Sequence, residues 1–285
     1  MRIPCWGAAR LRAAALVVVA CAAACGDEPA PADPGPPEHV YETANFTIVD
    51  QSELSAEQVD TLGARLELEL VRVGQVLPDL PRPPRITVYV LAGAGIPFVT
   101  AAENSLSQWR ASLDLDYLPH QLTHLHTGYP RRPFLEEGLA VYVSELVLPG
   151  VAVNPYRGQP PHAWMTLFES NGSTISLFTA YRADNLGYAY NGSTADASAW
   201  QLFIEAGSFT RWVVETYGWA EWWQLYQLDN LFEALGGTTP ELEAAWLAAA
   251  LAAYPAPLAC EDALGTVGPR EEFWCARARG EVNVQ

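Results

Sequence analysis

Residues 117–145 read YLPHQLTHLHTGYPRRPFLEEGLAVYVSE, and the placement of acids and imidazoles in this stretch decides the fold. His120 and His124 stand four residues apart, so on a helix their rings project from one face. Two imidazoles at that spacing can grip one zinc ion, which in a catalytic site takes three protein ligands and keeps one position open. His126 is rotated by about 200° from His124 and faces away. Thirteen residues after His124 comes Glu137, within RRPFLEEGLAVY. A Pro-containing turn at 129–133 lets a second helix fold back and bring Glu137 against the first. The expected metal set is His120, His124 and Glu137.

Working outward, residues 45–49 (NFTIV) alternate as a strand. Residues 55–77 carry Leu62, Leu66, Leu70 and Val73 at helical spacing behind a Ser55 cap. PRPP breaks the chain, and Ile86 to Leu91 is a second strand. Helices are expected within 114–127 and 134–147, then at 199–217, 219–233 and 239–253, with 150–198 mostly loop. The apolar run from Ala244 to Ala256 is shorter than a membrane span and reads as packed helix. Trp219, Trp222, Trp223 and Tyr226 fall at i, i+3, i+4 and i+7, and Phe209, Trp212 and Val213 repeat the stripe one helix earlier. Such stripes make helix–helix cores. The class is α+β, with a small N-terminal sheet with helices and a helical C-terminal half.

At these residues the sequence resembles a family. The 117–145 stretch is similar to the active-site segment of gluzincin-type, peptidase-MA-like zinc metallopeptidases, which read HExxH, a short loop, then (W/F)L-x-EG-x-A-x-Y. The later AGSFTRWVVETYGWAEWWQLY, residues 206–226, resembles their downstream helix. The resemblance covers about residues 43–235 and implies a zincin-like fold with Zn²⁺ on His120, His124 and Glu137. One departure matters. The family places Glu directly after the first His, where it takes the proton of the zinc-bound water and passes it to the leaving amine; this chain has Gln121. An amide can hydrogen-bond a water but is no base near neutral pH. General acid–base catalysis contributes about 10²–10⁴-fold. Substitutes are few: Glu136 points about 100° away from Glu137 on a helix, and Asp114 and Asp116 could lie near the cleft or orient a His. A Tyr often stabilises the oxyanion in this family, which makes Tyr181, Tyr188 and Tyr190 cleft candidates, while Phe203 stands where related chains often have Tyr.

The start of the chain reads as an address. Arg2, Arg10 and Arg12 precede a twelve-residue apolar run, 13–24, which has the form of a secretory h-region and is too short to span a bilayer. It ends at Cys25, with Cys21 an alternative stop; both resemble the lipobox of bacterial lipoproteins, whose Cys is acylated. Residues 1–24 are thus expected as a lipoprotein signal peptide and 25–40 as a Pro-rich acidic tether. The location implied is the bacterial cell envelope, lipid-anchored to a membrane. The main domain follows at 41–255, α/β to 128 and mainly helical after it. The segment 256–285 holds Cys260 and Cys275, expected to pair in an oxidising compartment.

Composition excludes other classes. All 16 basic residues are Arg, which rules out Schiff-base lysine chemistry and a P-loop. Against 33 acids the net charge is −17, and loss of the three leader arginines leaves 13 against 33, or −20. Nucleic acid is therefore excluded as a partner. The sequence reading is an exported, lipid-anchored, zincin-like protein that keeps a metal site but lacks the catalytic Glu, with a peptide or protein as a possible ligand. The alternatives are an active metallopeptidase using another base and a metal-free structural or peptide-binding surface lipoprotein.

Overall fold

The N-terminal half is organised by an amphipathic helix lying on a short mixed sheet. The computed structural model describes residues 39–93, 98–110, 117–128, 132–149, 159–170, 172–182 and 194–258, with side chains in the last span from Gln201 onward. The leader, Cys21, Cys25, the tether to residue 38, Asp114, Asp116, Tyr188, Tyr190, Cys260 and Cys275 lie outside the described residues. No described helix is long and apolar enough to cross a membrane.

Five strands, β1 (His39–Glu42), β2 (Phe46–Asp50), β3 (Ile86–Leu91), β4 (Phe98–Thr100) and β5 (Ser105–Trp109), form one sheet in the order β1-β2-β3-β5-β4. β2, β3 and β5 run parallel, and the edge strands β1 and β4 pair antiparallel. Helix α1 (Ala56–Val76) makes the crossover from β2 to β3. Ser55 caps it as expected: its hydroxyl accepts from Gln58 N, and Gln58 Oε1 accepts from Ser55 N. Val59, Leu62, Leu66, Leu70 and Val73 join Phe46, Ile48, Ile86, Val88, Val90 and Leu106 in the core. Burial of each such side chain contributes about 1.5–3 kcal/mol.

Three strands were not expected from the sequence. β1 begins at His39, two residues inside the span read as tether. β5 reads SLSQW; its polar letters hide a strand whose Ser105, Leu106, Ser107 and Gln108 are all buried. β4 is only three residues long.

The second half is helical: α2 (Leu118–Thr127), α3 (Pro133–Val147), α4 (Pro161–Ser170), α5 (Leu177–Arg182), α6 (Thr194–Tyr217), α7 (Trp219–Leu228), α8 (Leu231–Leu235) and α9 (Thr239–Ala253). The architecture is thus α+β, as expected. Helices α4 and α5 stand within 150–198, where the sequence reading placed no helix. Residues 161–168 of α4 are all buried, so no polar face gave the helix a legible period. The expected single helix at 219–233 is two, α7 and α8, separated at Asp229 (φ +52°). Asp229 is held there by Arg132, which donates through Nε at 2.5 Å and Nη2 at 2.7 Å, and by the Tyr181 hydroxyl at 2.8 Å.

Helices α3 and α6 approach each other closely at Gly138 and Gly207. A Cβ on Gly138 would lie 2.5 Å from the Ala206 carbonyl oxygen, and one on Gly207 would lie 2.3 Å from Val141 Cγ1. The glycines of the two sequence motifs thus form one interlock, and the residue before Gly138 is Glu137. The aromatic stripes pack as expected: Phe209 and Trp212 are buried in α6, and Trp222 is buried in α7.

A buried polar chain joins α4, α6 and α9. Trp246 Nε1 donates to Ser208 Oγ at 2.9 Å, and that hydroxyl lies 2.8 Å from His162 Nδ1, to which it can donate. Burial, then the nearby Arg211 charge, lowers the His162 imidazole to about 3. The unfolded chain therefore takes up a proton near the ordinary value of 6.5 that the folded chain refuses, and stability falls as pH falls through that window. Between pH 7 and pH 5 this residue alone should cost about 2 kcal/mol of unfolding free energy. Urea unfolding at the two pH values measures it: His162→Gln should show a shallower loss, and parallel losses in native and variant protein would rule the effect out.

Candidate metal centre

Helix α2 has no solvent face: every residue from Leu118 to His126 is buried. Pro119 sits in its first turn, where a missing N–H costs nothing. Gly128, at φ +73°, ends it by returning its N–H to the His124 carbonyl at 3.1 Å. Helix α3 then starts with Arg132 as N-cap and Pro133 in its first turn, and α2 and α3 pack together. The expected return of Glu137 to the histidine pair is what the structure contains.

His120 Nε2 and His124 Nε2 lie 3.1 Å apart, with the rings nearly perpendicular. Glu137 Oε2 lies 3.1 Å from His120 Nε2 and 3.5 Å from His124 Nε2. Three donor atoms from two helices therefore converge on one point and could hold a metal ion. His126 is buried away from them, with Cε1 3.9 Å from where a Cβ on Gly74 of α1 would stand.

The electrostatics of the three are coupled. Burial pulls the His124 imidazole down, but the carboxylates of Glu137 and Glu136 outweigh it and raise it to about 9. Burial, with the neighbouring His124 charge, lowers His120. Glu137 is opposed by burial yet held well below the ordinary carboxylate range by the two imidazoles. An ion takes imidazoles in the neutral form, so its binding competes with protonation of the pair.

Around the donors, Gln121 is 7% exposed and occupies the position next to His120. Tyr181 does not offer a free hydroxyl: it donates to Asp229, and Arg132 lies 4.7 Å over its ring. Phe203 is buried in α6.

Two residues near the site take roles that the sequence reading did not give them: Glu136 was weighed only as a substitute base, and Tyr226 only as part of an aromatic stripe. Glu136, 2% exposed, places Oε2 3.7 Å from His124 Nδ1. Tyr226 of α7 donates its hydroxyl to Glu136 Oε1, and Thr127 Oγ1 lies 3.4 Å from Oε2. The doublet Glu136-Glu137 was the available signal: consecutive helical residues point about 100° apart, so one faces the donors when the other faces their surroundings. Tyr226 read only as the end of an aromatic stripe.

No protein-family model matches the chain, and no curated protein matches it significantly.

Proposed function

We propose that this chain is an exported, lipid-anchored, zincin-like protein that binds one Zn²⁺ at His120, His124 and Glu137 and has lost most or all peptidase activity. The observation that carries the reading is the donor triangle, with Gln121 following His120 in the chain. Tetrahedral zinc with ligands at about 2.0–2.2 Å separates its donor atoms by about 3.3–3.6 Å. The separations here, 3.1, 3.1 and 3.5 Å, are close to that. Two imidazoles and one carboxylate are also the donor set of hydrolytic zinc sites.

Zinc, when bound, supplies Lewis acidity toward a carbonyl and lowers the pKa of its water. The chain supplies the rest. Glu137 neutralises charge, and the two imidazoles enter through Nε2. Gln121 can orient a water by hydrogen bonding but cannot accept its proton. The site then binds a peptide or protein segment without cutting it, or cuts it very slowly. The acidic tether holds the domain off the membrane that the acylated Cys25 enters.

Metal analysis of the purified chain tests the site. One zinc per chain is expected, and none in His120→Ala. Zinc-free native protein, or equal zinc in the variant, would favour the metal-free surface lipoprotein.

A further inference from the structure

We propose that Glu136 and Tyr226 are a positioning pair that fixes the His124 ring for metal binding through Nε2. The inference rests on the metal-site reading above and deepens it.

His124 can present only one nitrogen to the donor triangle, and that is Nε2. The ring orientation is then set by what faces Nδ1. Glu136 Oε2 stands 3.7 Å away on that side, on the same helix as Glu137. A buried carboxylate is a poor neighbour for an apolar core unless its oxygens are engaged. Here Oε1 accepts the Tyr226 hydroxyl, and Oε2 faces Thr127 and His124. The carboxylate is thus anchored from α7 and directed at the imidazole. It favours the tautomer with hydrogen on Nδ1, which leaves the Nε2 lone pair for an ion. His120 differs: no carboxylate of the described residues lies within ion-pair distance of its Nδ1, its contact with Glu137 being through Nε2. The site is therefore supported asymmetrically, and His124 is the ligand whose orientation is secured.

Groups behind a metal-bound histidine typically contribute about 10–100-fold in metal affinity. The test is competition titration of Zn²⁺ against a chromophoric chelator, with Co²⁺ absorption as a second readout of ligand geometry. Tyr226→Phe and Glu136→Gln in the full chain should each weaken Zn²⁺ binding by about 10-fold or more and change the Co²⁺ spectrum. Ser208→Ala, which disturbs the α4–α6–α9 polar chain, is the stability control and should lower Tm without weakening binding. Native affinity and spectrum in both Tyr226→Phe and Glu136→Gln, with the native chain binding zinc through His120, would overturn the pair and leave the metal site standing. Equal weakening in Ser208→Ala would reduce the effect to stability and overturn it as well. No zinc in the native chain would overturn both readings.

Discussion

Gln121→Glu raises peptidase activity by about 10²–10⁴-fold over the native chain, the range that general acid–base catalysis supplies. The argument is local. His120 and His124 already bring Nε2 to within 3.1 Å of each other, and Glu137 completes the triangle. Position 121 precedes the second imidazole by three residues on a helix whose termini are fixed by Pro119 and Gly128. Exchanging an amide for a carboxylate of the same shape changes chemistry without changing volume. The new group can take a proton from water and return it to a leaving amine. The measurement is cleavage of an unstructured protein substrate by zinc-loaded native protein and variant. A flat response would mean that the chain lacks more than the base. Activity already present in the native chain and abolished by His124→Ala would overturn the pseudoenzyme reading.

Gly138→Ala destabilises the protein and weakens its metal site, whereas Gly74→Ala does neither. Both glycines lie inside helices, so propensity favours alanine by about 0.8–1.0 kcal/mol at each. Surroundings decide the sign. The added carbon at Gly74 meets nothing closer than His126 Cε1 at 3.9 Å. At Gly138 it lies 2.5 Å from the Ala206 carbonyl oxygen, 2.5 Å from Thr210 Oγ1 and 2.8 Å from the Ala206 carbonyl carbon. A hydroxyl can rotate aside, but the backbone of α6 cannot. Overpacking costs about 1–3 kcal/mol and occasionally more, and a backbone clash belongs at the upper end. For a domain of this size, 3 kcal/mol lowers Tm by about 6–12 °C. Because α3 must retreat to relieve the clash, Glu137 retreats with it. Thermal unfolding and zinc titration of the two variants check both halves. An unchanged Tm in Gly138→Ala would mean that the helices can separate freely.

What the sequence made legible was short-range. The i, i+4 spacing of His120 and His124 is a property of one helix, and the Ser55 cap and the Leu62-Leu66-Leu70-Val73 face are properties of another. Glu137 needed one further step, a turn between adjacent helices, which Gly128 and Pro133 supply. Burial erased other signals. Helix α4 is apolar around its circumference, and β5 is polar but buried, so neither shows the period of its class. The role of Glu136 was out of reach because it depends on Tyr226, 90 residues away. The weighing of Glu136 as a substitute base asked only about the Nε2 edge of the histidine pair; its carboxylate faces the Nδ1 edge of His124.

That separation also divides the entropy of closure unequally. The three donors come from two helices joined by a short turn. Their support comes from α7, through Tyr226 on Glu136 at a separation of 90 residues and Asp229 on Arg132 at a separation of 97. Closing a short loop costs less chain entropy than closing a long one, and local contacts form sooner. Bringing the histidines to Glu137 therefore costs less chain entropy than bringing Tyr226 to Glu136, and the far contact must be offset by the packing of α7.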